Sequence, residues 1–151
     1  MVLKRIGQII GLFSSVAIIF SIFLSYVNVG LFGISVFSMS LFDCNRTGAI
    51  VIGVLGLLAF ITVYANKGIL TSVLSLIILV GNIFFCIYIS TGDSELDEDV
   101  KLINSMFGDV FEPGIGFLII LLGSILLFLA GVMINKGKHS EAEKKKDKIK
   151  S

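Results

Sequence analysis

The side chains that could do chemistry are few, and their spacing builds no reaction centre. The chain carries 2 Cys and 1 His in 151 residues. A nucleophile needs a base within reach to activate it, and His139 stands in a lysine-rich C-terminal stretch, far in sequence from Cys44 and Cys86. The cysteines lack CxxC spacing, so they indicate neither a redox pair nor a metal site. Asp93, Glu95, Asp97 and Asp99 alternate as calcium ligands do, but the turn glycine and terminal Glu of an EF-hand loop are missing. A solvated acidic face is the simpler reading. Asn45-Arg46-Thr47 fits a glycosylation sequon, although Asn45 falls almost at the edge of an apolar segment. The expectation is a protein without catalytic residues, cofactor or metal, and not an enzyme.

What these residues are mounted on is clearer. Apolar residues make up 56% of the chain and charged residues 15%, against about 25% charge in a typical soluble domain, and mean hydropathy is +1.01. No Asp, Glu, Lys, Arg or His occurs in residues 6–42, 47–66, 68–92 or 113–135. A helix needs about 20 mostly apolar residues to cross a hydrocarbon core of about 30 Å. The fold class expected is therefore an all-α membrane protein, a four-helix transmembrane bundle with spans at about 6–27, 47–64, 69–90 and 115–134. Residues 1–135 form the membrane domain and 136–151 a lysine-rich tail, expected to be disordered or a fraying helix. Lys4-Arg5 before an apolar run also resembles a signal peptide, but the run is longer than a signal core and no small-residue cleavage site closes it.

Charge orients the spans. All of the 12 Lys and Arg except Arg46 and Lys101 fall in residues 1–5, at Lys67 or after residue 135, with only Glu141, Glu143 and Asp147 among them. The remaining acids, Asp43 and those from Asp93 to Glu112, fall in the other two connections. Basic short loops stay cytoplasmic. Both termini are thus expected in the cytoplasm, in a plasma membrane crossed four times. The tail lysines suit anionic lipid, but an orientation signal and solubilising end is the preferred reading, since orientation needs such residues anyway, and nucleic-acid binding is not expected.

The connections carry further signals. Gly30 and Gly33 break the first span, and residues 34–42 alternate in part with β-branched and aromatic residues, predicting a short extracellular β-hairpin around Gly33, with a re-entrant segment as the competing reading. Ala65-Asn66-Lys67-Gly68 is a tight turn that makes an antiparallel pair of the second and third spans. Leu96, Val100, Ile103, Phe107 and Val110 recur at helical spacing and predict a short extracellular amphipathic helix. Phe37, Met39, Leu41, Ile103 and Phe107 are the candidate partner surface.

Small residues recur along the spans: Gly7, Gly11 and Ser14; Gly53 and Gly56; Ser75; Gly116 and Gly123. Lipid is as apolar as leucine, so helices associate through close packing and interhelical hydrogen bonds. These positions are expected to face one another inside one bundle rather than to dock another chain. Asn82 is the one strongly polar side chain deep in a span and should bond across the bundle, with a serine of the first span as its candidate partner. Cys44 and Cys86 fall at the same expected depth, which makes a disulfide between them geometrically allowed; two unpaired thiols packed as small apolar groups is the preferred reading.

Leu31-Phe32-Gly33-Ile34-Ser35 after the first span and Gly114-Ile115-Gly116-Phe117 opening the last resemble the small four-span bacterial membrane proteins of unknown function. The layout is also similar to claudin-type tetraspans, whose first outer loop bears strands. Val29-Gly30-Leu31-Phe32 and Cys44 echo the claudin loop, but the chain has no Trp and that loop holds a single Cys, so the claudin motif is not met. The function expected is a non-catalytic accessory or interaction protein that presents a structured outer surface to a membrane or extracellular partner, an immunity protein being one form. A small homo-oligomeric channel or carrier and a claudin-like adhesion module are the alternatives. An ion-coupled mechanism would need ionisable groups inside the spans, and there are none.

Overall fold

The computed structural model describes residues 2–31, 34–90 and 111–150. In chain order they form α1 (Val2–Ser21), β1 (Ser25–Leu31), β2 (Ile34–Ser40), α2 (Leu41–Cys44), α3 (Arg46–Tyr64), α4 (Gly68–Ser90), β3 (Phe111–Pro113) and α5 (Ile115–Lys150). The four long helices close a ring in which α1 packs on α3 and α5, and α4 packs on the same two.

The distribution of side chains is the reverse of a water-soluble bundle. Large apolar groups such as Phe13, Phe20, Phe84 and Ile69 point outward, while Ser14, Ser15, Ser21, Thr71, Ser75, Asn82 and Ser124 are buried. Isolated soluble proteins rarely expose apolar patches beyond a few hundred Å², and here such residues cover the outside of all four helices. A hydrocarbon surrounding removes that penalty. Inside, Ile18, Ile78, Ile120, Leu127 and Ile134 fill the axis around the small polar residues.

The first span is shorter than its apolar run. Helix α1 stops at Ser21, two tight turns follow (Phe23 N–H to Phe20 O, 3.2 Å; Leu24 N–H to Ser21 O, 3.1 Å), and Ser25 already begins a strand. The expectation that helix continues to residue 27 is corrected. No residue from 22 to 27 forbids helix; long-range pairing decides, because β1 gains ladder partners on both sides. It is the centre of a three-stranded antiparallel sheet ordered β2-β1-β3.

The hairpin of β1 and β2 pairs Val27 with Met39, Asn28 with Ser38 and Val29 with Phe37, with irregularities on either side. The short β3 pairs Val27 with Pro113 and Val29 with Phe111. Proline lacks an N–H and so suits the edge of a sheet. The next residue, Gly114, donates its N–H to the Tyr26 carbonyl at 2.8 Å before α5 starts. The predicted hairpin is present, and β3 is an addition that local sequence did not announce.

Local chemistry sets the other boundaries. Ser40 and Asp43 form a capping box on α2, and the Asn45 side chain caps α3 by accepting from Gly48 N–H at 2.8 Å. At the far end of α3, Lys67 N–H bonds Thr62 O at 2.9 Å and Asn66 N–H bonds Val63 O at 3.0 Å. With Asn66 left-handed at φ 56°, this is a Schellman ending. The Thr62 and Thr71 hydroxyls meet at 3.0 Å just above the turn.

Helix α5 extends past its apolar stretch. Its 36 residues make a rod of about 54 Å at 1.5 Å per residue, longer than a hydrocarbon core of about 30 Å. The backbone of the expected tail is thus helical through Lys150. Ala, Glu and Lys are strong helix formers, and residues 136–150 are rich in them.

Candidate functional site: a polar core under the strand cap

Tyr26 and Asn82 are both completely buried. The turn after α1 swings Tyr26 inward, and α4 carries Asn82 to meet it. The phenol lies 2.8 Å from Asn82 Oδ1 and 3.1 Å from its carbonyl oxygen, and Asn82 Nδ2 donates to Phe117 O on α5 at 3.4 Å. The Phe117 ring meets Tyr26 edge-on, 82° between planes and 5.8 Å between centroids. A strand, α4 and α5 are therefore fastened at one point.

The expected serine partner for Asn82 is corrected. Ser14, Ser15 and Ser21 donate back to Ile10 O, Gly11 O and Ile18 O of their own helix at 2.8, 2.7 and 2.6 Å. These hydroxyls are already engaged by carbonyls of their own helix, and a tyrosine from the strand reaches Asn82 instead.

The other candidate packing residues lie between helices. A Cβ on Gly7 would come within 3.0 Å of the Ala130 carbonyl, and one on Gly11 within 2.9 Å of Val63. Gly53 and Gly56 of α3 face Ile22 and Ile19, Gly123 faces Ile18, and Gly116 stands beneath the carbonyls of Ser21 and Leu24. Ser75 is buried and donates to Ser72 O at 2.7 Å. At the crossing of α4 and α5, Gly68 and Ser72 lie on the expected small-residue stripe of the third span, but sequence reading missed their partners on α5: a Cβ on Gly68 would lie 2.8 Å from Asn135 N, and Gly131 abuts Ser72. A Gly131–Asn135 spacing of four was the available signal. By contrast, a Cβ on Gly81 would have no neighbour within 4 Å.

The candidate partner surface is only partly a surface. Leu41 is completely buried and belongs to the core, and Met39 packs partly buried against it. Leu41 as an exposed contact is a correction: the capping box turns the chain at Ser40 and drives the next side chain under the sheet. Phe37 occupies the β2 position opposite Val29. Ile103 and Phe107, with the whole expected amphipathic helix, lie outside the described residues.

Cys44 and Cys86 are free thiols, so no disulfide joins them. Burial, helped by the neighbouring Asp43 carboxylate, pushes the Cys44 thiol up to about 11. Arg46 lies over the Phe42 ring at 5.3 Å. Among the described residues no group of His, Cys, Asp and Glu is arranged to hold a metal ion.

Indentations on the outside include three lined by described residues. One of about 310 Å³ lies between α3 and α4 near Asn45, Gly48, Gly81 and Phe85. One of about 330 Å³ lies between α1 and α3 beside Ile22, Phe42 and Gly53. The third, about 340 Å³, lies at the turn end between α4 and α5. Gly137 of α5 packs on Lys4 of α1, so Lys4, Lys67 and Lys138 gather at that end, opposite the sheet.

No protein-family model matches the chain, and no curated protein sequence matches it. The class is defined by the helices: among the described residues four are long and apolar enough to cross a membrane, and they fit a multi-pass membrane protein.

Proposed function

We propose that this chain is a non-catalytic accessory protein of a bacterial plasma membrane, with both termini cytoplasmic, which offers its strand-capped end to a membrane or extracellular protein partner. The observation that carries the reading is the fastening of that end to the bundle by Tyr26, Asn82 and Phe117. A rigid support under a small sheet suits recognition, since less order has to be gained on binding. The small-residue faces support it too, because they are already occupied within the bundle. Among the described residues, the outer faces of the helices between the cap and the lysine-bearing end are apolar. Among the described residues β2 is a sheet edge, and an edge strand is a ready template for a partner's strand.

Two measurements test this. In a background with Cys44→Ala and Cys86→Ala, membrane-impermeant maleimide should label Ser38→Cys and Ser105→Cys from outside intact cells. Labelling only after lysis would reverse the orientation. Crosslinking from the cap followed by affinity purification should then return one stoichiometric partner; solute flux in liposomes holding the chain alone would favour a channel instead.

A further inference from the structure

The cleft at the turn end combines two chemistries on one wall. Lys67, Lys138 and Asn135 contribute polar groups, while Ile69, Leu70 and Val73 contribute apolar ones, and among the described residues no acidic side chain lines it. Both lysines are exposed and Asn135 is half-buried. Ile69 and Leu70 face outward from the first turn of α4 and Val73 from the second. Going from the end of the bundle toward its middle, the cleft therefore passes from cationic to aliphatic. A soluble anion would use only the first part and a hydrocarbon chain only the second.

We infer that this cleft binds one anionic phospholipid, its phosphate between Lys67 and Lys138 and an acyl chain along Ile69, Leu70 and Val73. Each part follows from elementary chemistry. An ammonium group near a membrane surface attracts anionic headgroups, and a long lysine side chain keeps its charge at the interface while its stem lies on apolar surface. The amide of Asn135 adds a neutral hydrogen-bonding group to the same wall. The floor is built by close approach: Gly68 sits against Gly131 and Asn135, which lets α4 and α5 converge there, with Lys67 and Lys138 on the lining of the same cleft. The lysines beyond Lys138 lie further along α5, away from this wall, so they contribute a general field rather than the site. The inference rests on the membrane-spanning reading but not on the partner proposed for the opposite end.

The test uses the full chain purified in detergent and titrated with phosphatidylglycerol or phosphatidylcholine, with bound lipid counted by native mass spectrometry. One phosphatidylglycerol should be retained in preference to phosphatidylcholine. Lys67→Gln with Lys138→Gln should weaken that retention by about tenfold or more, whereas Lys67→Arg with Lys138→Arg should keep it. Lys144→Gln, Lys145→Gln and Lys146→Gln together should also keep it. Millimolar inorganic phosphate should not displace the lipid. Equal retention of both lipids, unchanged retention in the Gln pair, loss in the tail triple, or displacement by phosphate would each overturn the site. Recovery of the chain as a monodisperse species without detergent would instead sink the membrane reading itself.

Discussion

The Tyr26 hydroxyl meets the Asn82 side chain 2.8 Å away in a place where neither residue touches solvent. One comes from the strand that leaves the first helix and the other from the middle of α4, so this contact helps tie the cap to the bundle. Buried polar groups left without a partner cost about 1–3 kcal/mol, which makes this contact a measurable hinge of stability.

Tyr26→Phe should destabilise the protein by about 1–2 kcal/mol, because Asn82 Oδ1 loses its donor while the ring volume is kept. Asn82→Leu should cost a similar amount or less, because the phenol loses its side-chain acceptor but keeps the backbone carbonyl of residue 82 at 3.1 Å. The double variant should cost less than the sum of the two, with a coupling of about 0.5 kcal/mol or more. Thermal unfolding in detergent measures all three; strict additivity would mean the contact contributes nothing.

Glycines at the crossings should be far less tolerant than Gly81. Gly131→Val places bulk against Ser72 and Gly68, and overpacking of this kind costs about 1–3 kcal/mol or more. Gly81→Ala meets open space and should be neutral or stabilising by up to about 1 kcal/mol, since alanine is the better helix former. Comparison of the two midpoints checks the helix packing directly.

At the turn, Asn66 holds a left-handed φ of 56°, and its Oδ1 is buried without a hydrogen-bond partner. Asn66→Gly should therefore be neutral or mildly stabilising, as glycine adopts this conformation without steric strain. Asn66→Ala should lose about 1 kcal/mol. A reversed order in thermal unfolding would contradict the Schellman ending.

Cys44 should react slowly. Its thiol is raised to about 11 from an ordinary value of about 8.5, and the thiolate is the nucleophile. In a Cys86→Ala background, alkylation should stay slow at pH 8 and climb steadily toward pH 11. The sign of the linked stability follows. The folded protein holds the proton more tightly than the unfolded chain, so the contribution is complete below about pH 8.5 and is lost as pH rises toward 11. Cys44→Ala should remove that part of the alkaline loss in denaturation curves taken across this range.

The four apolar blocks, the Asn66 turn and the small-residue faces could be read directly from the chain because each is a property of neighbouring residues. Uncharged length decides what lies in hydrocarbon, and helical spacing places Gly7 and Gly11 on one face whatever they meet. The alternation after Gly33 announced the hairpin for the same reason. Where α1 ends could not be read that way. Nothing local stops helix before Ser25; the strand wins because β2 and β3 supply hydrogen bonds from residues distant in sequence. The burial of Leu41 and the choice of Tyr26 over a serine as the partner of Asn82 have the same origin. They are set by which segments meet across the bundle, and only the assembled helices and sheet bring those segments together.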